Sequence, residues 1–329
     1  MITGGAGFVG SHLACACLKE GHEVHAVVRE PSRGDRLRRF ERDIVLHRFD
    51  LRSDLELKWC IRDVAPQVVY HLAASLRRPE DMQFTDVTDC LSEDVQILVN
   101  LLSAAANSRV PPSAVVRTGS LAEYGLAPRP YREDMREEPI TVYGAGLVAA
   151  THLVGALQRR LPFLVATARL ALVYGPAQST EYFVPWLIQR CLAGARSIVR
   201  RPDDRRDLIH VDDAVSALIQ MGTVSLPKAA VINIATGVAP SMREVARQII
   251  EITGADPGLV KYGAGNPLHG APDLRGTPDL ARQFLGWSAR VPLAEGISRL
   301  VAWHRDSTAC ASYLERPSSA REHNSMGAG

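Results

Sequence analysis

The sequence predicts an α/β protein: a Rossmann-type doubly wound parallel sheet, with a smaller C-terminal α/β domain for substrate. Three observations predict it. Glycines at Gly4, Gly7 and Gly10 follow directly on the apolar start Met1-Ile2-Thr3 and open a helix-like run, Ser11 to Lys19. Apolar runs of strand length then alternate with helix-length stretches as far as Leu172, the pattern of strand–helix–strand units in a parallel sheet. After Tyr174-Gly175-Pro176 this regularity breaks, and Pro and Gly clusters separate the remaining helix-like segments.

The glycine loop comes first because its chemistry is the most constrained. A chain that turns sharply out of a strand, lets a pyrophosphate touch its backbone and then presses a helix onto the sheet has no room for side chains at those places. The N–H groups at the start of that helix, helped by its dipole, suit phosphate. Gly4, Gly7, Phe8, Val9 and Gly10 are therefore candidate dinucleotide contacts. The apolar run Val24 to Val28 completes the first strand–helix–strand unit. A carboxylate at the end of that strand would accept the ribose hydroxyls and repel a 2′-phosphate. This chain has Val28 and Arg29 there, with Glu30 and Arg33 nearby, so NADP is expected, with NAD as the alternative. Only Met1 to Thr3 precede the loop, which is short for a central strand. A start upstream of Met1 is the expectation.

Ile44 to Phe49 reads as the next strand, ending at Asp50-Leu51, where an acid can meet the adenine amino group. A helix over Asp54 to Val64 follows. Gln67 to Ala74 is a buried strand running into small residues, and Leu72, Ala73 and Ala74 suit backbone lying against a dinucleotide. A helix over Thr88 to Ala106 and a strand over Ala114 to Thr118 continue the alternation. The dinucleotide-binding domain is placed at 1–172, with 207–236 returning to it. Residues 173–206 and 237–306 form the substrate domain, with helices at Phe183 to Leu192, Ser241 to Thr253 and Leu293 to His304. The tail 307–329, rich in Ser, Ala, Gly and charge, is expected to be disordered.

The bulk numbers exclude several classes. With 329 residues, 46% hydrophobic and 22% charged, the chain has an ordinary globular composition. A net charge of +2, from 38 basic and 36 acidic residues, gives no dedicated nucleic-acid surface, and the basic run Arg33 to Arg42 reads as a solvated face beside the cofactor. Six scattered cysteines without ligand spacing read as reduced thiols with no metal site. No stretch suits a bilayer and no signal peptide is evident, so a cytoplasmic location is expected.

The chemistry gathers at Gly119-Ser120-Leu121-Ala122-Glu123-Tyr124-Gly125 and Val142-Tyr143-Gly144-Ala145-Gly146-Leu147. With the glycine loop, His71-Leu72-Ala73-Ala74, Arg169 to Pro176, Arg206-Asp207-Leu208-Ile209-His210-Val211-Asp212-Asp213, Asn233 to Gly237 and Leu285-Gly286-Trp287, these motifs make the chain resemble the extended short-chain dehydrogenase/reductase family over nearly its whole length. That family comprises nucleotide-sugar epimerases, dehydratases and reductases. The resemblance implies Ser120 as the hydroxyl that binds the reacting oxygen and Tyr143 as the acid/base, beside the nicotinamide. It also implies a lysine four residues after the tyrosine, to hold the nicotinamide ribose and lower the tyrosine pKa; here that position is Leu147. Making phenolate near neutral pH costs about 3–4 kcal/mol without a nearby cation. Three readings follow: Tyr143 donates from its neutral form, another cation takes over, or catalysis is weak or absent. Lys58 and His152 are the other cations weighed.

Dehydratases of the family resemble one another in placing Asp-Glu or Glu between the hydroxyl residue and the Tyr-Gly pair, at the two positions directly after that hydroxyl residue. This chain has Leu121 and Ala122, with Glu123 one place too far along, turned away by about 100° on a helical turn. Reduction of a 4-keto sugar or epimerisation remains, on a nucleoside-diphosphate sugar, and Val28-Arg29 leans towards the reductase. Arg206 is the candidate for the pyrophosphate, since a guanidinium holds two phosphate oxygens at once. Arg275 is a second candidate, and Tyr182 with Trp186 can line the sugar or base pocket. Asp207, His210 and Asp212 read as structural. The alternatives are a weak or inactive NAD(P)-binding sensor or scaffold, and a reductase of small carbonyl compounds. Family members are often dimers through the tyrosine helix, here Gly144 to Arg159, so a homodimer is expected.

Overall fold

A computed structural model describes residues 1–29, 36–40, 42–73, 83–264 and 273–306. Glu30, Arg33, Ala74, Asp81 and the tail 307–329 lie outside the described residues. The chain opens with β1 (Ile2–Thr3), α1 (Phe8–Lys19), β2 (Val24–Val28), β3 (Ile44–Arg48), α2 (Asp54–Val64) and β4 (Val68–His71). There follow α3 (Thr85–Asp89), a π-helical segment (Cys90–Val95), α4 (Gln96–Ala106), β5 (Ala114–Ser120), α5 (Val142–Leu157) and β6 (Leu164–Leu170). Beyond them come β7 (Leu172–Tyr174), α6 (Phe183–Leu192), β8 (Ser197–Val199), β9 (Arg205–Arg206), β10 (Leu208–His210), α7 (Val211–Thr223) and β11 (Val231–Ile234). The described chain ends with α8 (Met242–Thr253), β12 (Val260–Tyr262), β13 (Asp273–Leu274), α9 (Asp279–Leu285) and α10 (Leu293–Arg305).

Seven strands form one parallel sheet in the order β11-β6-β5-β4-β1-β2-β3. The order reverses between β1 and β4, which is where a doubly wound sheet opens a crevice at its carboxyl edge. Both faces are covered, so the strands read as near-continuous apolar runs. Ile2, Val28, Val116 and Ala168 pack on the α1 and α7 side, while Val69, Val115 and Val165 meet α2, α4 and α5 on the other. β11 lies beside β6, so residues 231–234 belong to the main sheet. A third apolar core, built on Leu187, Ile188, Val245, Ile249, Ile297 and Leu300, joins α6, α8 and α10 apart from that sheet.

Helix bounds differ most from expectation at two starts, while α5 begins at Val142 rather than Gly144 and α8 at Met242 rather than Ser241. α1 begins at Phe8 rather than Ser11, because Gly7 is extended (φ −67, ψ 174) and serves as the N-cap. The helical run expected from Thr88 begins at Thr85, after Phe84 in the left-handed region (φ 54), and widens into a π segment before α4. α2, α6 and α8 follow their local signals. Ser53 caps α2, and Ser241 with Glu244 forms a reciprocal capping box at α8.

Candidate active site

Gly4 sits at φ +70, and a Cβ there would fall 2.8 Å from the Ala73 backbone nitrogen. A Cβ on Gly10 would come within 2.3 Å of the Gly4 carbonyl oxygen, so α1 can press this close to the loop only without a side chain. The turn closes with Gly7 N–H donating to Gly4 C=O at 2.9 Å. In front of it lies a cavity of about 320 Å³ lined by Gly4, Gly7, Arg29, Asp50, Leu51, Leu72 and Ala73, seven of the predicted cofactor contacts. Gly10, Phe8 and Val9 stand behind that wall in the first turn of α1.

Sequence reasoning missed several residues of the same cavity. Arg36, read as part of a solvated basic run, donates to the carbonyls of Ala6 (3.2 Å) and Ala177 (3.1 Å) and so ties the glycine loop to the segment after β7. Arg52 grips Asp50 in a bidentate pair, with its Nη2 2.6 Å from the carboxylate, and holds that carboxyl below its usual range. Asp50, expected to meet adenine, is thus engaged by a neighbour two residues away. Glu93 and Asp94, from the π segment, complete the far wall; nothing in their local pattern marks them.

Beyond the carboxyl end of β5 the structure brings Ser120 and Tyr143 together. Ser120 ends β5 and caps the turn Leu121–Glu123, its Oγ accepting from the Ala122 N–H at 3.1 Å. Tyr143 stands in the first turn of α5, whose N-cap Thr141 accepts from the Gly144 N–H at 3.1 Å. Burial pushes the Tyr143 phenol well above its ordinary range, and the negative charges of Glu123 and Asp94 push the same way; a hydrogen bond from Ser120 pulls back. Tyr182, at the N-cap of α6, also faces this phenol. Asp94 both lines this cavity and lies within electrostatic reach of Tyr143, so cavity and pair share a boundary.

Leu147 is buried, and its carbonyl accepts from the Thr151 hydroxyl. Neither cation weighed from the sequence stands in for it. Lys58 pairs with Asp54 on the exposed face of α2, and His152 points outward to Glu137 at 3.4 Å. Glu123 turns inward, fully buried: its carboxylate accepts from the Ser120 N–H (3.0 Å), the Thr151 hydroxyl (2.8 Å) and Arg169 Nε (2.9 Å). Arg169, also fully buried, bonds Glu137 at 2.5 Å and lies 4.5 Å over the Tyr124 ring. Tyr124 donates to Asn233 Oδ1 at 2.8 Å and stacks on Tyr131.

The pairing of β9 with β13 sets Leu274 opposite Arg206, with Arg275 the next residue along the chain. Arg206 is half-buried and braced by Asp204 at 2.8 Å, while Arg275 stands 3.6 Å from Asp273. Asp207 accepts from the Thr236 N–H and hydroxyl and the Gly237 N–H, tying β10 to the segment after β11, and burial lifts its carboxyl to about 6. His210 caps α7 beside Asp212. Trp186 packs on the third core against Phe183 and is not among the residues lining the cavity in front of the glycine loop. None of the five described cysteines forms a disulfide, and no cluster among the described residues is arranged to hold a metal.

Comparison with known proteins agrees with this geometry. Residues 1–235 match the NAD dependent epimerase/dehydratase family. The UDP-glucose 4-epimerase of Mycolicibacterium smegmatis is 29% identical, over 94% of this chain and 99% of its own length. The dTDP-glucose 4,6-dehydratase of Streptomyces niveus is 27% identical, over 97% of this chain and 96% of its own. Among solved structures, MoeE5 in complex with UDP-glucose and NAD superposes with a TM-score of 0.81 at 32% identity, covering 93% of this chain and 98% of that one. The chain belongs to the NAD dependent epimerase/dehydratase family, within the extended short-chain dehydrogenases/reductases.

Proposed function

We propose that the protein is an NAD(P)-dependent enzyme acting on a nucleoside-diphosphate sugar, reducing a 4-keto sugar or epimerising the carbon that bears it. The observation that carries this reading is that Ser120 and Tyr143 face one another at the boundary of the cavity lined by the glycine loop. The relatives' names, UDP-glucose 4-epimerase and dTDP-glucose 4,6-dehydratase, and MoeE5 with its bound UDP-glucose, support the substrate class. Gly4, Gly7, Phe8, Val9, Gly10, Asp50, Leu51, Leu72, Ala73 and Ala74 are proposed to hold the dinucleotide. When bound, the nicotinamide supplies or accepts hydride.

Tyr143 keeps its proton at neutral pH, so its first task is to donate that proton to the carbonyl oxygen as the ketone is reduced, with Ser120 orienting the same oxygen. Epimerisation asks more, because the tyrosine must also take the proton of an alcohol. Dehydration lacks its carboxylate: Glu123 is locked between Ser120, Thr151 and Arg169. Arg29 on the cavity wall favours NADP, while MoeE5 is seen with NAD. Arg206, with Arg275 beside it, is proposed for the pyrophosphate and Tyr182 for the sugar. We read 1–172 with 207–236 as the dinucleotide domain and the remainder as the substrate domain. Exposed Val87 and Leu91 before α4 and Leu153 on α5 supply apolar surface for a homodimer through the tyrosine helix, and no described helix is long and apolar enough to cross a membrane.

Calorimetric titration tests this reading. Wild type is expected to bind NADPH or NADH and, in its presence, a UDP-, dTDP- or GDP-sugar, with Arg206→Ala weakening the nucleotide sugar about 10-fold or more. A protein that binds cofactor, ignores every nucleotide sugar and still reduces small aldehydes overturns it.

A further inference from the structure

Gly119 and Glu123 stand on either side of the candidate hydroxyl, Ser120, and they fit one another. A Cβ on Gly119 would fall 2.2 Å from Glu123 Oε1, so the carboxylate can lie against the end of β5 only because residue 119 has no side chain. From that seat Oε1 accepts the Ser120 backbone N–H at 3.0 Å, while the Ser120 Oγ accepts the Ala122 N–H at 3.1 Å. The other oxygen, Oε2, accepts from the Thr151 hydroxyl at 2.8 Å and from Arg169 Nε at 2.9 Å. Glu123 is fully buried, and Arg169 answers its charge. Thr151 stands on α5 two turns beyond Tyr143. The turn Leu121–Glu123 meets α5 a second time at its front, where a Cβ on Gly144 would come 2.8 Å from the Ala122 carbonyl oxygen. Gly144 directly follows Tyr143. The turn that begins at Ser120 is therefore held to the tyrosine helix at two points, a close backbone approach beside Tyr143 and a charged hydrogen bond two turns further along.

We infer that Glu123 is a positioning residue for the acid/base pair: by joining the Ser120 backbone to Thr151 it fixes the turn against α5, and with it the spacing of the Ser120 hydroxyl and the Tyr143 phenol. This rests on the roles proposed above for Ser120 and Tyr143. A single contact at Gly144 would let the turn pivot; the tie at Thr151, on the same helix, stops that rotation. With its Oγ accepting from Ala122 and its N–H held by Glu123, Ser120 keeps its hydroxyl proton for donation to the reacting oxygen. Glu123 itself touches no substrate and moves no proton. Its carboxylate is committed to three donors, and it acts through Ser120.

The test cuts the tie to α5 and leaves the rest of the carboxylate's bonds in place. In Thr151→Val, Glu123 keeps Ser120 and Arg169, and Arg117, which also donates to Thr151, keeps Thr167. Single-turnover hydride transfer in the full-length protein should slow about 10-fold or more, with cofactor and nucleotide-sugar affinities within about twofold of wild type. Glu123→Gln, of the same size but with one acceptor oxygen, should do the same, and Thr151→Ser, which keeps the hydroxyl, should recover most of the rate. A merely structural Glu123 would lower the urea midpoint of these variants and leave transfer in the folded protein as it was, so an unchanged rate in Thr151→Val overturns the inference. A second readout needs no substrate: a fluorinated tyrosine placed at position 143 should give one fluorine resonance in the otherwise wild-type chain and a shifted or divided one with Thr151→Val. Identical resonances overturn the inference as well. If no nucleotide sugar turns over in wild type, the function proposed above fails, and the fluorine resonance still decides the part played by Glu123.

Discussion

Along β1, β2 and β4 the cavity in front of the glycine loop is walled by backbone and small residues: Gly4 against Ala73, Gly10 against Gly4, and the carbonyl of Ala6 held by Arg36. Along β5, β6 and α5 it works through buried side chains, with Arg117, Glu123, Thr151, Arg169 and Glu137 joined in one run of hydrogen bonds behind Ser120 and Tyr143. The first region excludes bulk, and the second balances charge. A defect in the first should therefore show as lost affinity, and a defect in the second as lost stability or a moved pKa.

The largest effect expected from breaking this contrast is in Arg169→Met, which strands Glu123 and leaves Glu137 without its buried partner. Urea denaturation should show a loss of about 3–5 kcal/mol. A loss below about 1 kcal/mol would mean the buried charges carry little of the fold.

Asp207 carries the same charge logic to the segment after β11, and it has a sign. Its carboxyl ionises at about 6 in the folded chain against 3.8 for the ordinary group. The folded state therefore holds this proton more tightly. The contribution is fully present below about pH 4 and is lost as pH rises through about 6, by up to about 3 kcal/mol. Asp207→Asn should lack that slope when urea midpoints are compared across this range; parallel profiles would show that the three donors around Asp207 cancel its burial.

On the backbone side, Gly10→Val should weaken dinucleotide binding about 100-fold by calorimetry, since a Cβ there lands 2.3 Å from the Gly4 carbonyl oxygen. Circular dichroism should show an otherwise folded sheet. Smallest is Arg29→Asp on the cavity wall, expected to shift preference from NADP towards NAD by about 10-fold. No shift would mean that Arg29 does not face the ribose.

The same contrast explains what the sequence disclosed. Gly7 and Gly10 are informative locally, because each is required by Gly4 a few residues away, while Gly4 itself is required by Ala73, just past the neighbouring strand β4; the helices α2 and α8 announce themselves through period and caps. Ser120 and Tyr143 came through resemblance to a family, and the structure places them together. Arg117, Glu123 and Arg169 were not legible as a unit. Their long-range partners lie 28 to 50 residues off in the chain, for example Thr151 with Glu123 and Thr167 with Arg117, and nothing in local pattern marks a buried charge as satisfied. Arg36 was taken for a solvated residue for the same reason: its acceptors at Ala6 and Ala177 are 30 and 141 residues away.

The most direct test of the central claim is single-turnover hydride transfer between nicotinamide and nucleotide sugar, followed by nicotinamide absorbance in wild type and Tyr143→Phe. The rate should fall about 100-fold or more in the variant while cofactor affinity stays unchanged. Equal rates in the two proteins, or no transfer in wild type with both ligands shown to be bound, would contradict it.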